Sequence, residues 1–267
     1  MTLQLDTQRM LAHVDSNGIG WMTFNNPARH NALSLEMWQG VGDILQHFQN
    51  DDAVRVVIMR GAGGKSFVSV ADISEFAEKR ANAEQRRSYG EIAGRATHWL
   101  ATINKPLIAL IEGYCIGGGL ATALSADIRF ASPDSSFGIP AAKLGLGYEY
   151  EGLAKLARLV GPSRAKDIMF SARFMPAEEA LQMGLINFIA ERDIIEKQCI
   201  EYAQRIAGNA PMTVRAAKAA VSVWERGGRS NEVDQVREMV DACFDSDDYK
   251  EGRRAFAAKE QPLFKNK

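Results

Sequence analysis

The sequence predicts an α/β fold, with strand–helix units first and a purely helical end. Three observations predict it. Apolar runs of strand length alternate with helical patterns as far as about Asp193. Some of those runs, Val54 to Met59 for example, are apolar nearly throughout, as in strands buried on both faces. Beyond Asp193 the helical pattern is interrupted only at Asn209-Ala210-Pro211, Gly227-Gly228 and Ser246. The 267 residues suffice for one large domain, or for one domain with an appendage, and the pattern divides them as a core over 1–195 and a helical region over 196–267.

Taken in order, Leu11 to Val14 and Gly18 to Phe24 alternate around Asn17-Gly18, the signature of a hairpin. Ser34 is placed to cap a helix running to about Gln49, with Leu35, Trp38, Val41, Leu45 and Phe48 on one face. Val54 to Met59 and Phe67 to Ile73 follow, then a charged segment and a long helix ending near Ile103. Pro106 to Ile111 is a short apolar run, and Ile128 to Ala131 another. Phe137 to Tyr148 has the glycine and proline density of a loop lining a site. Two helices, Gly152 to Leu159 and Ser163 to Ser171, are separated by Gly161-Pro162. Pro176 opens a further helix that stops at Gly184, and Leu185 to Ile189 reads as a strand.

Composition narrows the function. A net charge of −1 argues against nucleic acid as a general partner. The three cysteines, Cys115, Cys199 and Cys243, fit no disulfide framework or zinc spacing, and the four histidines form no metal motif. No metal site is expected. The N-terminus lacks the apolar core of a secretory signal, and no stretch has the length of a membrane span. A cytoplasmic location, with no membrane partner, is the expectation.

The chemistry is expected at Lys105 to Arg129, where an apolar run leads through Gly117, Gly118 and Gly119 into an Ala- and Leu-rich helix. Such a junction offers backbone N–H groups that have no intrahelical acceptor and lie at the positive end of the helix dipole. Without a Cβ in the way, a substrate oxygen can approach them, as in an oxyanion hole. A dinucleotide fingerprint would need glycine at Thr122, and a Walker A loop ending at Lys65-Ser66 would need one at Met59. Neither motif is present. A plain tight turn between strand and helix is the competing reading.

The matching pieces Asn31-Ala32-Leu33, Phe67 to Ile73, Gly113 to Asp127, Phe137 to Gly145, Ala180 to Leu185 and Asp245 to Phe264 resemble the crotonase (enoyl-CoA hydratase/isomerase) superfamily over nearly the whole chain. The resemblance implies a spiral of strand–helix (ββα) turns with a helical C-terminal trimerisation region, and trimers often paired into hexamers. It implies an acyl-CoA thioester as ligand, with coenzyme A entering as part of the substrate and no separate cofactor. By position, the oxyanion-hole N–H groups would belong to Ala71 and Gly118. Arg29, His30, Ala32, Leu33, Ser69, Ala71, Asp72, Ile73 and Gly117 would line the coenzyme A site, joined by Phe256 and Lys259 from a neighbouring subunit. Lys259 fits a solvated charge on a helix face equally well. Val70 departs from the family, which usually has glycine there.

Hydratases of the family work with two glutamates, and at their positions this chain has Ala121 and Ala141. An alanine moves no proton. Glu149 falls where dienoyl-CoA isomerases of the family place an aspartate, and Tyr148 where the methylmalonyl-CoA decarboxylase branch has a tyrosine. Three readings follow: a lyase or isomerase of the hydratase group using Glu149, a decarboxylase using Tyr148, and an acyl-CoA binding protein without catalysis.

Overall fold

The computed structural model describes residues 2–69 and 82–267. Its first element is the hairpin of β1 (Met10–Val14) and β2 (Ile19–Phe24), paired antiparallel. Gly18 turns the chain at φ +75°, and the Asp15 carboxylate accepts from the N–H groups of Asn17 and Ile19 at 2.8 and 3.0 Å. Helix α1 (Leu35–Asn50) begins where the sequence places its cap: Ser34 Oγ accepts from Met37 N at 3.4 Å. Its inward face is centred on Met37, Val41, Ile44, Leu45 and Phe48, whereas Leu35 and Trp38 are only half-buried. Trp38 packs on the edge of the core.

From here the chain alternates between two sheets. Strand β3 (Val56–Gly61) enters a six-stranded sheet and β4 (Ser66–Val68) a four-stranded one, followed by helix α2 (Ala83–Thr102). The next turn repeats the order with β5 (Leu107–Ile111), β6 (Tyr114–Ile116) and α3 (Gly118–Ala123). Strands β7 (Ile128–Ala131) and β8 (Ser136–Gly138) begin a third turn, completed by α4 (Tyr150–Val160) and α5 (Pro162–Ser171). Then β9 (Met175–Pro176) returns to the small sheet, and α6 (Ala177–Gln182) leads to β10 (Phe188–Ile189) in the large one. The strand orders are β1-β2-β3-β5-β7-β10 and β4-β6-β8-β9. Pairing is parallel except for β1 with β2 and β8 with β9. One strand in each sheet followed by a helix is the repeating ββα turn that the resemblance implies.

Alternation along β3 shows why its apolar run is continuous. Val57 and Met59 face a core shared with α1 and α2, while Val56 and Ile58 face a second core with Ile195, Cys199 and Ala203 of α7 (Ile195–Ala207). All four strand residues are fully buried. Each contributes about 1.5–3 kcal/mol on burial. A polar side chain has no place on either face.

The chain ends in α7, α8 (Pro211–Glu225), α9 (Ser230–Asp245) and α10 (Asp247–Ala258), with breaks at the three predicted places. Ser246 caps α10 by accepting from Tyr249 N at 3.0 Å. In two further places the structure departs from the sequence reading. Leu185 and Ile186 do not extend β10, because their N–H groups turn back to Ala180 O at 2.8 and 3.3 Å and close α6, with Gly184 at φ +79°. The segment from Phe137 is not all loop: it opens in β8 and forms a 3₁₀ helix over Pro140–Leu144. Among the described residues no helix is long and apolar enough to cross a membrane.

Candidate active site

The parallel strands β4, β6 and β8 end together at Val68, Ile116 and Gly138, and this carboxyl edge of the small sheet gathers the expected chemistry. Open parallel sheets bind ligands at such edges, where loops diverge from a rigid frame. Gly117 follows β6 with φ 58° and ψ −118°, a conformation on the left-handed side that suits glycine. Its N–H donates to Gly138 O at 2.8 Å, which fixes the turn against β8. Gly118 is then the first helical residue, and its N–H has no acceptor within α3. Gly119 lies so close to β4 that an added Cβ would sit 1.9 Å from Val68 O. Helix start and strand end are thereby pressed together.

Ala121 lies half-buried in α3, and Ala141 is buried in the 3₁₀ helix that leaves β8. Ala121 follows β6 and Ala141 follows β8, so both lie beyond strand ends at this same edge. The chain then reaches Tyr148, half-buried against the main core, and Glu149, exposed immediately before α4. Burial pushes the Tyr148 phenol up from its ordinary range, so it stays protonated at neutral pH. Ala71, Asp72 and Ile73, with Val70, lie outside the described residues.

The expected coenzyme A residues divide. Loop 29–33 runs along the outer edge of β4, where His30 O accepts from Ser69 N at 3.0 Å. Asn31 stitches this loop down. Fully buried at φ 55°, it donates from Nδ2 to Ala62 O and Ser66 O at 3.0 and 2.8 Å and accepts from Asn26 N at 2.8 Å. Arg29 and His30 are exposed, whereas Ala32 and Leu33 are buried, so these two can reach a ligand only through their backbone. Phe256 is 89% exposed, and Lys259 closes α10 at φ 55° with its side chain in solvent. No hydrogen bond or ion pair joins either to loop 29–33 among the described residues.

Sequence reasoning missed a cleft of about 730 Å³ at the opposite edge of the small sheet, where β4, β6 and β8 begin. His30 lines it, with Nδ1 3.1 Å from Ser66 Oγ and its ring edge-on to Tyr114. Arg192 spans the cleft's rim, bonding Asp134 at 2.6 Å and Gly64 O at 2.7 Å. Its hydrogen bonds hold the Asp134 carboxyl below the usual range, while burial pushes the neighbouring Glu112 up. The cleft is built from loops that precede three short strands, and no periodicity in the sequence marks it. Among the described residues no group of three or more His, Cys, Asp or Glu is placed to hold a metal ion.

A spiral of ββα turns, with a glycine turn leading from β6 into α3 at one edge of the small sheet, defines the class as an α/β fold built from one strand in each of two sheets per turn. Residues 15–267 match the enoyl-CoA hydratase/isomerase family, and the chain belongs to it. It is 35% identical to the short-chain-enoyl-CoA hydratase of Clostridium acetobutylicum, over 92% of this chain and 94% of that protein. With the crotonyl-CoA hydratase of Syntrophomonas wolfei it shares 32% identity over 91% and 93% of the two chains. The crystal structure of an enoyl-CoA hydratase/carnithine racemase from Magnetospirillum magneticum superposes with a TM-score of 0.90 at 35% identity, covering 98% of this chain and 97% of that one. The fold is therefore that of the crotonase superfamily.

Proposed function

We propose that the protein is an acyl-CoA enzyme that stabilises a thioester enolate between the N–H groups of Gly118 and Ala71. The observation that supports this most is the Gly117–Gly118 turn, held by Gly138 O and leading a backbone donor out of β6. With Ala121 and Ala141 unable to transfer protons, Glu149 is the carboxylate that moves a proton between substrate carbons, in a lyase or isomerase reaction. The ligand lies along loop 29–33 and Ser69 to Ile73. Phe256 and Lys259 reach it from a neighbouring subunit of a trimer or of a hexamer. The sixteen-residue helix α9 has no buried residue in the single chain, and Trp224, Val240 and Phe244 are exposed nearby in sequence, as a subunit contact requires.

Burial of Tyr148 favours a second reading. A protonated phenol at the edge of the acyl site orients a substrate carboxylate. Its carbon–carbon bond then breaks, carbon dioxide leaves, and the electron pair stays as the enolate that the N–H groups hold.

Crotonyl-CoA hydration, followed by loss of the enoyl-thioester absorbance, and methylmalonyl-CoA decarboxylation form the first panel. Turnover of either CoA thioester that falls ~10²–10³-fold in a folded Gly118→Pro variant is the expected result. An unchanged rate would refute the oxyanion assignment. Loss of activity in Glu149→Gln but not Tyr148→Phe selects the proton shuttle, and the reverse selects decarboxylation. Tight binding of several thioesters with turnover of none would overturn catalysis and leave an acyl-CoA binding protein.

A further inference from the structure

We propose that a single small anion of chloride size binds between the core and the C-terminal tail, in a cavity that Arg55, Lys105 and Arg215 surround. The cavity lies where the segment between α1 and β3, the start of β5, the α7–α8 junction and the tail meet. Its volume of about 20 Å³ has room for one water-sized body. A phosphate or a carboxylate-bearing ligand does not fit.

Two independent features call for an anion rather than an empty space. The first is an orphaned donor. Arg55 Nη2 donates to Phe264 O at 3.2 Å, but Nη1 is buried with no hydrogen-bond partner. Buried guanidinium N–H groups are normally satisfied. The second is charge. Three cationic side chains line the cavity, and Asp52 is the one carboxylate among its described lining residues; with Asp51, whose charge also acts on Lys105, two carboxylates stand against three cations, a formal excess of one positive charge. Asp51, beside it, turns its carboxylate to Ala53 N at 2.9 Å. A water would satisfy Arg55 Nη1 and leave the charge; a monovalent anion answers both.

Nearby groups cannot take its place. Arg215 Nη2 already donates to Asn266 Oδ1 at 2.7 Å, and Lys105 Nζ donates to Phe48 O at 2.5 Å and to Asp51 O. The main-chain O of Lys267 is held at the start of α10, accepting from Asp247 N at 2.7 Å. An anion here would tie Arg55 of the core to Arg215 of α8 beside the tail residue Asn266. The consequence is stability that depends on the anion present.

Thermal unfolding of the intact protein in potassium chloride and in potassium gluconate, at equal ionic strength, tests this. Chloride is expected to raise the Tm by about 2–4 °C. Arg55→Met should abolish the difference, and Arg215→Gln serves if that variant does not fold. Crystals of the unaltered protein soaked in bromide should show an anomalous peak in contact with Arg55 and Arg215. Equal Tm values in the two salts, or no bromide peak in the cavity, would overturn the proposal. A bromide peak without any salt-dependent Tm means an adventitious ion only, and overturns it too.

Discussion

Replacing Gly119 by alanine isolates the contact on which the candidate site rests. The new Cβ would meet Val68 O at 1.9 Å and Val68 C at 2.6 Å, both backbone atoms that no rotamer change can move. Ordinary van der Waals contact starts at 3.4 Å, so the start of α3 and the end of β4 must separate by about 1.5 Å. Overpacking of this kind costs ~1–3 kcal/mol. At roughly 2–4 °C per kcal/mol, the Tm falls by between about 2 and 12 °C. The same displacement carries the Gly118 N–H with it. Misplacing a catalytic group by ~1 Å costs ~10² in rate. The assay pairs thermal unfolding with turnover of the best thioester in the panel. A variant with unchanged Tm would refute the packing argument. One that loses Tm but keeps its rate would instead separate Gly118 from the chemistry.

Gly94 provides the opposite case, since a Cβ there meets nothing within 4 Å on α2. Gly94→Ala is expected to stabilise by up to ~1 kcal/mol, read as a higher urea midpoint with unchanged slope. Asn31→Ala removes the three hydrogen bonds of a fully buried side chain and leaves a non-glycine residue at φ 55° without the amide that favours it. A loss of about 3 kcal/mol or more is expected, with weaker acyl-CoA binding by calorimetry as loop 29–33 lifts from β4. Lys105 gives a pH signature. Burial lowers its pKa from the usual 10.5 to about 8, so between these values the unfolded chain binds the extra proton. The cost of burying the charged form is fully present below pH 8 and is relieved as pH rises toward 10.5. Measured in gluconate, wild type should gain stability relative to Lys105→Met over that interval, by at most ~3 kcal/mol. A pH-independent difference would contradict the burial.

Much of the frame was legible because its signals are local. Asn17-Gly18 marked the hairpin, Ser34 its helix start, and Gly227-Gly228 and Ser246 the helix breaks, each through a conformation or cap that few residues supply. The small sheet was harder. Strands β6 and β8 have three residues each, too few for a period to emerge, and their pairing depends on partners distant in sequence. Leu185 and Ile186 look like strand residues because they are buried in the main core, yet their N–H groups close the end of α6. The glycine turn could be read because Gly117 needs its φ and Gly119 its missing Cβ. The hydrogen-bonding role of Asn31 could not, since two of its three partners, Ala62 O and Ser66 O, are set by tertiary contact.

Backbone donors and acid–base groups make separate demands on this fold. Gly117 and Gly119 answer to dihedral angle and close packing, whereas Ala121 and Ala141 lie in α3 and the following 3₁₀ helix with no such backbone demand. A chain can therefore lose the carboxylates and keep the turn. If the acyl group does lie at this edge, restoring the acids should restore hydration. Ala121→Glu is expected to fold well, being half-buried in a short helix whose start favours negative charge. Ala141→Glu is costlier, because only 4% of Ala141 is exposed and a carboxylate there loses its solvent. The double variant should add water to crotonyl-CoA faster than the parent does, with Ala121→Glu alone giving a smaller gain. A double variant that folds and binds the thioester but hydrates no faster would place the acyl group away from the ends of β6 and β8.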